Sequence, residues 1–356
     1  MRTTGAIITD EIGAALLLRC GGNPERAYGA KIAQLAEDRF GGAGCGVVAA
    51  AKQVLDILGE STALDNLGMI EAAFSGATGA AIFDGLVNSL VVEPFRTGDP
   101  TTGWVREVEV DNFKSNIRIR REQVEQLKLL ARGETAEHLQ PEFSTSETYN
   151  ADRFARQFVV DAQDLADDDI HALSEPARLF GGASLALKRD LVFTAMLANA
   201  DLSDSVALFH ATHSNLNTSA ALSESNLDAG ISAMLNTQEN SRPVDAIAKF
   251  LVVPPALLGL AHRLNRNMSL PLSVRSDTRL ENGVTDPVSG TEYAGSATSW
   301  YLSAAAGPIE FGFIDSNRPR VTSWPLTRGA WGLGYGINFD VGVGVTGFNG
   351  IQKNTA

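Results

Sequence analysis

Two histidines, His210 and His213, lie three residues apart in the stretch ALFHATHSNLN, in a chain that holds five histidines in all. On a helical turn this i, i+3 spacing can bring two imidazoles to one side, the first half of a zinc site. A catalytic zinc centre also needs a third ligand and a glutamate base beside the first histidine, as in the H-E-x-x-H pattern. Ala211 follows His210, and no Cys, Asp or Glu lies between the pair. His138, His171 and His262 are isolated. The favoured reading is a loop whose histidines hydrogen-bond to backbone. The competing reading is a metal-dependent hydrolase using His210 and His213.

Other chemical patterns are weaker. GLGYGINFDVGVG has G-x-G spacings, but it follows no strand and opens no helix, so alternating small residues in a strand explain it better than a dinucleotide fingerprint. No G-x-S-x-G elbow and no G-x-x-x-x-G-K-[ST] loop occur. Asp167, Asp168 and Asp169 precede an apolar-periodic run, where capping of a helix outweighs binding of a divalent ion. Arg118, Arg120 and Arg121 form a basic patch whose default role is a solvated face or a subunit contact. No catalytic constellation emerges.

The elements that would position these residues follow from periodicity. At 356 residues, 44% hydrophobic and 20% charged, the chain can bury one or two cores. A run as short as IGAALLL does not span a bilayer, and a soluble protein made in the cytosol is expected. Cys20 and Cys45 are expected as free thiols. A net charge of −13 argues against a broad grip on nucleic-acid phosphates.

The first hundred residues read as interrupted helices. One covers PERAYGAKIAQLAEDRF, the next GVVAAAKQVLDILG with Gly59 as its stop, and a third, broken run goes from about Leu67 to Val92, ending before Pro94. From Trp104 the period becomes alternating. WVREVEVDNF and NIRIR read as a half-exposed pair of strands, and DRFARQFVVD as another strand with Phe154, Arg156, Phe158 and Val160 on one face. The polar stretch between them suggests a segment that touches another molecule. A helix of roughly 45 Å follows Asp169, with Pro176 and the Gly181–Gly182 pair as kink points. Beyond Asp201 come a helix capped by Ser223 or Ser225, a buried strand Lys249 to Val253 leading through Pro254 and Pro255 into a helix, and strands at Trp300–Ala304, Ile309–Ile314 and Tyr335–Phe348. TRLENGVTDPVSGTEYAGSATS reads as an exposed loop.

This order of parts carries a likeness in particular residues. They are ADDDIHALSEPARLFGGASLALKRDLVFTAMLAN, the LF...H.N stretch of Leu208, Phe209, His213 and Asn215, FLVVPPAL, WYLSA, IEFGFIDSNRPRV and a closing IQKN. Together they resemble the major capsid proteins of tailed bacteriophages, the Hong Kong 97 type of fold. The nearest likeness is to the branch related to the major head subunit of phage Mu, which includes members fused to a prohead protease. It runs from about Met69 to the C-terminus and more faintly over the first helices.

The resemblance implies an α+β fold. Its parts are an N-terminal helical arm (1–68), a helical segment leading into the loop (69–103), an extended β loop (104–165), a peripheral domain with a long spine helix (166–200 and 306–356) and a mixed α/β axial domain (201–305). It implies a structural head protein, not an enzyme, made in the bacterial host cytoplasm and located in the virion. Such a protein self-assembles as hexamers and pentamers into an icosahedral shell around double-stranded DNA, which it touches weakly. Scaffold, protease, portal and decoration proteins are its further partners, and it has no cofactor, metal or membrane contact. An encapsulin-like compartment is the alternative on the same fold. Subunit-interface candidates are Arg118, Arg120, Arg121, Phe154, Arg156 and Phe158. Any maturation protease would be a separate chain or absent, and no lysine–asparagine crosslink is expected. The first sixty or so residues are an arm, an internal scaffold or a segment that is cut away.

Overall fold

The computed structural model describes residues 4–75, 77–119, 129–130, 135, 146–239, 242–244, 246–325 and 332–356. The chain divides into two units. The first contains Met1–Asp99, Arg153–Ala186 and Arg318–Phe339, and the second Pro100–Asp152, Leu187–Asn317 and Asp340–Ala356. Arg120, Arg121 and His138 lie outside the described residues.

The first unit is built largely from helices. Thr4–Arg19 is apolar around most of its circumference, and Ile12, Leu16 and their neighbours are buried, as such a helix must be. The single helix expected over 24–40 is two, Pro24–Tyr28 and Ala30–Phe40. Gly29 breaks it with φ of 90°, a conformation that glycine alone adopts without strain. Val47–Leu58 ends as expected, with Gly59 left-handed at φ of 72°. Helices Asn66–Ser75 and Ala77–Thr97 follow, and the second continues through Pro94. That proline lies in the last turn, and burial of Leu90, Val91 and Val92 outweighs the hydrogen bond it removes. In this unit the strand Arg320–Pro325 pairs antiparallel with Leu333 to Asn338. Phe158 stacks between Phe180 and Tyr335, with ring centroids 5.6 and 5.3 Å away.

The long helix is His171–Ala198, 28 residues with Pro176 inside. Asp169 accepts the His171 N–H at 3.0 Å, the expected capping role, whereas Asp168 turns elsewhere.

Among the described residues the second unit contributes to two larger sheets and holds three two-stranded ones. Strand Arg106–Glu109 runs parallel to Ile309–Phe313, which pairs antiparallel with Val341 to Val345. The pairing expected between WVREVEV and NIRIR does not form. Asn116–Ile119 pairs instead with Ser146–Tyr149. The other sheet has the order Leu216–Asn217, Ile351–Asn354, Trp300–Ser303, Phe250–Val253, Ser273–Ser276. Helices Glu224–Leu235, capped by Ser223 at 3.2 Å, and Pro255–Asn267 cover it. Leu227, Leu251, Ala261, Trp300 and Leu302 form its core. Within the expected loop 278–299 there is a helical turn, Arg279–Asn282, and a small hairpin of Val284–Thr285 with Glu292–Tyr293. The closing strand is also two pieces, Gly332–Val345 and Ile351–Asn354. Among the described residues no single helix is long and apolar enough to cross a membrane.

One core position in this sheet is poorly satisfied. Gln352 lies opposite Leu302 in the ladder and beside Gly230, and neither end of its buried amide has a hydrogen-bond partner among the described residues. An unpaired buried polar group costs about 1–3 kcal/mol. Gln352→Met, close in length and apolar, is therefore expected to raise the denaturation midpoint. An equal or lower midpoint in urea titration would contradict this.

Candidate functional site

The histidine pair does not form a shared site. His210 opens a short turn, Ala211–His213, and its Nδ1 accepts the Thr212 N–H at 3.1 Å. His213 is buried and stacks on Phe348 with ring centroids 3.9 Å apart. Its Nδ1 lies 3.2 Å from the Leu208 carbonyl oxygen, and its Nε2 lies 3.0 Å from Asp204 Oδ2. Asn215 completes the loop by donating to Leu208 O at 2.8 Å and accepting the His210 N–H at 3.1 Å. These bonds make the LF...H.N spacing a loop clasp. No group of three His, Cys, Asp or Glu side chains among the described residues could hold a metal. The roles of Asp204 and Phe348 have no signature in local spacing.

The more unusual arrangement lies at the hairpin of Asn116–Ile119 with Ser146–Tyr149. Side chains of a strand alternate between its faces, and directly opposite residues share a face. Asn116, Arg118, Glu147 and Tyr149 therefore lie on one side, with Ile117, Ile119, Ser146 and Thr148 on the other. The polar side is the inward one. Tyr149 is buried and Arg118 half-buried, while Ile117 and Ile119 are 62% and 55% exposed.

Glu310 accounts for this inversion. It is buried on strand Ile309–Phe313, where its Oε1 accepts the Tyr149 hydroxyl at 2.6 Å and pairs with Arg118 Nε. Arg118 Nη2 also lies 3.3 Å from the Tyr149 oxygen. Burial and the hydrogen bond to Glu310 push the Tyr149 phenol up to about 12. Burial pulls the Arg118 guanidinium down, but bonds to Tyr149 and Glu310 outweigh it and its basicity rises. Glu147 fastens the Ser146–Tyr149 strand to the loop after the long helix, accepting the Ser203 N–H at 2.9 Å.

The Tyr149 ring needs space that only glycines leave. A β-carbon at Gly312 would come within 2.6 Å of the Tyr149 oxygen, and one at Gly344 would run into the ring itself. Gly342, the ladder partner of Gly312, faces the Asn150 carbonyl just as closely. Of the glycine series in the sequence, Gly344 thus admits the Tyr149 ring and Gly342 the Asn150 backbone, while Gly334 and Gly336 lie against Trp324.

On the opposite face of the same strands, the buried Lys188 pairs with Glu107 at 2.6 Å and lies 4.9 Å over the Phe311 ring. Glu107 also accepts from Asn317 at 3.0 Å. Sequence reasoning singled out Arg118 but not its partners Tyr149 and Glu310. A carboxylate inside the apolar run PIEFGF was the available signal. Of the other candidates, Arg156 is exposed and Phe154 half-buried, and Phe158 is in the aromatic stack of the first unit.

Tyr149→Phe is expected to cost about 1.5–3 kcal/mol, the range for a hydrogen bond to a charged group. Gly312→Ala is expected to cost about 1–3 kcal/mol by overpacking. Because the folded state raises the phenol from 10.0 to about 12, this contribution is complete below pH 10 and is lost as pH rises from about 10 to about 12. The stability gap between wild type and Tyr149→Phe, measured in urea across that window, should close. A gap that is constant through it would count against the assignment.

Comparison with known proteins places this geometry. No curated protein matches the chain. Among solved structures it is similar to the capsid of cyanophage P-SCSP1u, at 11% identity and a TM-score of 0.47, covering 71% of this chain and 86% of that one. It is also similar to a virus-like particle from Pyrococcus furiosus, at 10% identity and a TM-score of 0.44, covering 75% and 97%. A third is a phage-related protein from Bordetella bronchiseptica RB50, at 10% identity and a TM-score of 0.47, covering 76% and 96%. Likenesses of this strength add no weight by themselves. The family model described as phage capsid protein matches residues 145–354, more than half of the chain. The chain therefore belongs to the phage capsid protein family, with the α+β capsid fold of the Hong Kong 97 type, and is a structural subunit of an icosahedral head, not an enzyme.

Proposed function

We propose that the chain is the major head subunit of a tailed phage or prophage, from the branch related to the phage Mu head subunit, and that its shell of hexamers and pentamers encloses double-stranded DNA. The inverted hairpin carries the reading. Two β-branched side chains stand in water on a short ribbon whose charged face is used up inside its own subunit. An exposed apolar strand face is a liability unless another surface covers it. In a self-assembling shell that surface belongs to a second copy of the chain.

On this reading 104–165 is the loop that reaches over neighbours, 166–200 with 306–356 is the peripheral domain and 201–305 is the axial domain. Ile117 and Ile119 supply the apolar contact. Arg156, together with Arg120 and Arg121, supplies polar contacts across the subunit boundary. The net charge of −13 keeps the hold on packaged DNA weak. Scaffold, protease, portal and decoration proteins complete the particle.

Electron microscopy of the chain expressed alone is expected to show closed shells or rings of five and six subunits. The double variant Ile117→Asp/Ile119→Asp should abolish them while shifting the subunit melting temperature by no more than about 1–2 °C, the usual range for surface changes. Particles that survive the double substitution would remove the hairpin from the interface. Nucleic acid recovered from native particles should be double-stranded DNA, and protein cargo in its place would redirect the reading to an encapsulin-like compartment.

A further inference from the structure

The helices before residue 100 supply most of the apolar cluster of the first unit, from Ile12 and Leu16 to Phe83 and Leu90. Later parts of the chain add Val160, Leu165, Ile170, Leu173, Ala177, Tyr335 and Ile337 to that same cluster. One continuous core therefore joins segments at both ends of the sequence.

Polar ties cross the same boundary. Arg19 Nη2 lies 2.6 Å from Asp168 Oδ2, and the Val47 N–H donates to Asp168 Oδ1 at 2.5 Å. Helix Val47–Leu58 is preceded by Gly46, which has no capping side chain. Asp168 supplies the missing cap from 121 residues away, satisfying a free donor at the positive end of the helix. A β-carbon at Gly46 would lie 2.7 Å from that carboxylate, so the residue that cannot cap is also the one that admits the substitute. Asp168 holds φ of 61°, a left-handed conformation that a non-glycine residue keeps only when its surroundings compensate. Arg178 Nη2 donates to the Cys20 carbonyl at 2.5 Å. At Gly181 of the long helix any β-carbon would strike the Val91 carbonyl.

We propose that residues 4–97 stay on the subunit in the assembled shell as a permanent part of its core, and are neither a detachable scaffold nor a segment removed in maturation. Only the word assembled rests on the shell reading above. Removing these helices would uncover Ile170 just before the long helix and Leu173 and Ala177 along it, expose Tyr335, and leave Asp168 strained with neither its cation nor its amide. A leader designed for release would meet the rest of the chain through a polar, separable surface. This segment instead supplies most of the apolar cluster.

The test has one arm on particles and one on the free subunit. Intact-mass spectrometry of subunits from purified particles should show a chain that retains every helix from Thr4 onward. A predominant species beginning after Thr97 would overturn the proposal. In the unassembled wild-type subunit, amides of the first helix around Leu16 should exchange with the same protection as those around Leu173. First-helix exchange about a thousandfold faster would overturn it as well. Asp168→Ala should lower the melting temperature by about 3–5 °C, and Arg19→Ala/Asp168→Ala by less than the sum of the single changes. An unchanged midpoint would show that the tie is idle. Failure of the chain to form particles would count against the shell reading and leave the exchange result to decide this one.

Discussion

A carboxylate buried on a central strand sets the arrangement of the second unit. Away from water an ionised group is tolerated only when donors meet it, because desolvation costs far more than one surface contact returns. Glu310 finds its donors on the two strands of a hairpin, 192 and 161 residues earlier in the chain. Meeting that demand turns the polar face of the hairpin inward, and the strict alternation of a strand then sends Ile117 and Ile119 outward. The exposed apolar surface is thus a geometric result of satisfying one buried charge. It needs no separate explanation from composition.

The same sheet repeats the solution on its other side. Neighbouring positions on a strand face opposite ways, so Phe311 lies away from Glu310 and forms the floor on which Lys188 meets Glu107. Each face carries a partly buried ion pair with an aromatic ring against the cation, Tyr149 on one and Phe311 on the other. Pairs of this kind contribute little net stability compared with apolar packing, yet losing one partner strands the other. They specify which strand lies beside which.

Much of this was legible in the sequence. Helix stops at Gly59, the Ser223 cap, the Pro254–Pro255 entry into a helix and the strands at Phe250, Trp300 and Ile309 are local signals, and local physics decides them. Arg118 could be singled out as one of a basic group, and the histidine stretch could be assigned to a capsid loop through its neighbours. What could not be read was partnership at long range. NIRIR reads as the partner of WVREVEV, SETY lies in a polar stretch without a strand pattern, and only Tyr149 and Glu310 together choose it. Asp168 looked like its two neighbours, a cap for the helix that follows. Its left-handed backbone turns it toward a helix far earlier in the chain, and nothing in a run of three aspartates distinguishes the middle one. Pro94 misled for a related reason, because propensity ended the helix where burial on three adjacent residues continued it.

The glycine slot has a consequence for how this sequence can drift. Along Val341 to Val345 every second position is closed to any β-carbon, by Asn150 at Gly342 and by the Tyr149 ring at Gly344, while the valines between them require only an aliphatic side chain of similar volume. Substitutions that survive selection should therefore alternate along this strand between none and many. Tyr149 and the two glycines can be exchanged only as a set. A lineage that lost the ring would free Gly312 and Gly344 together, while Gly342 would stay closed against the Asn150 carbonyl as the trace of the older arrangement.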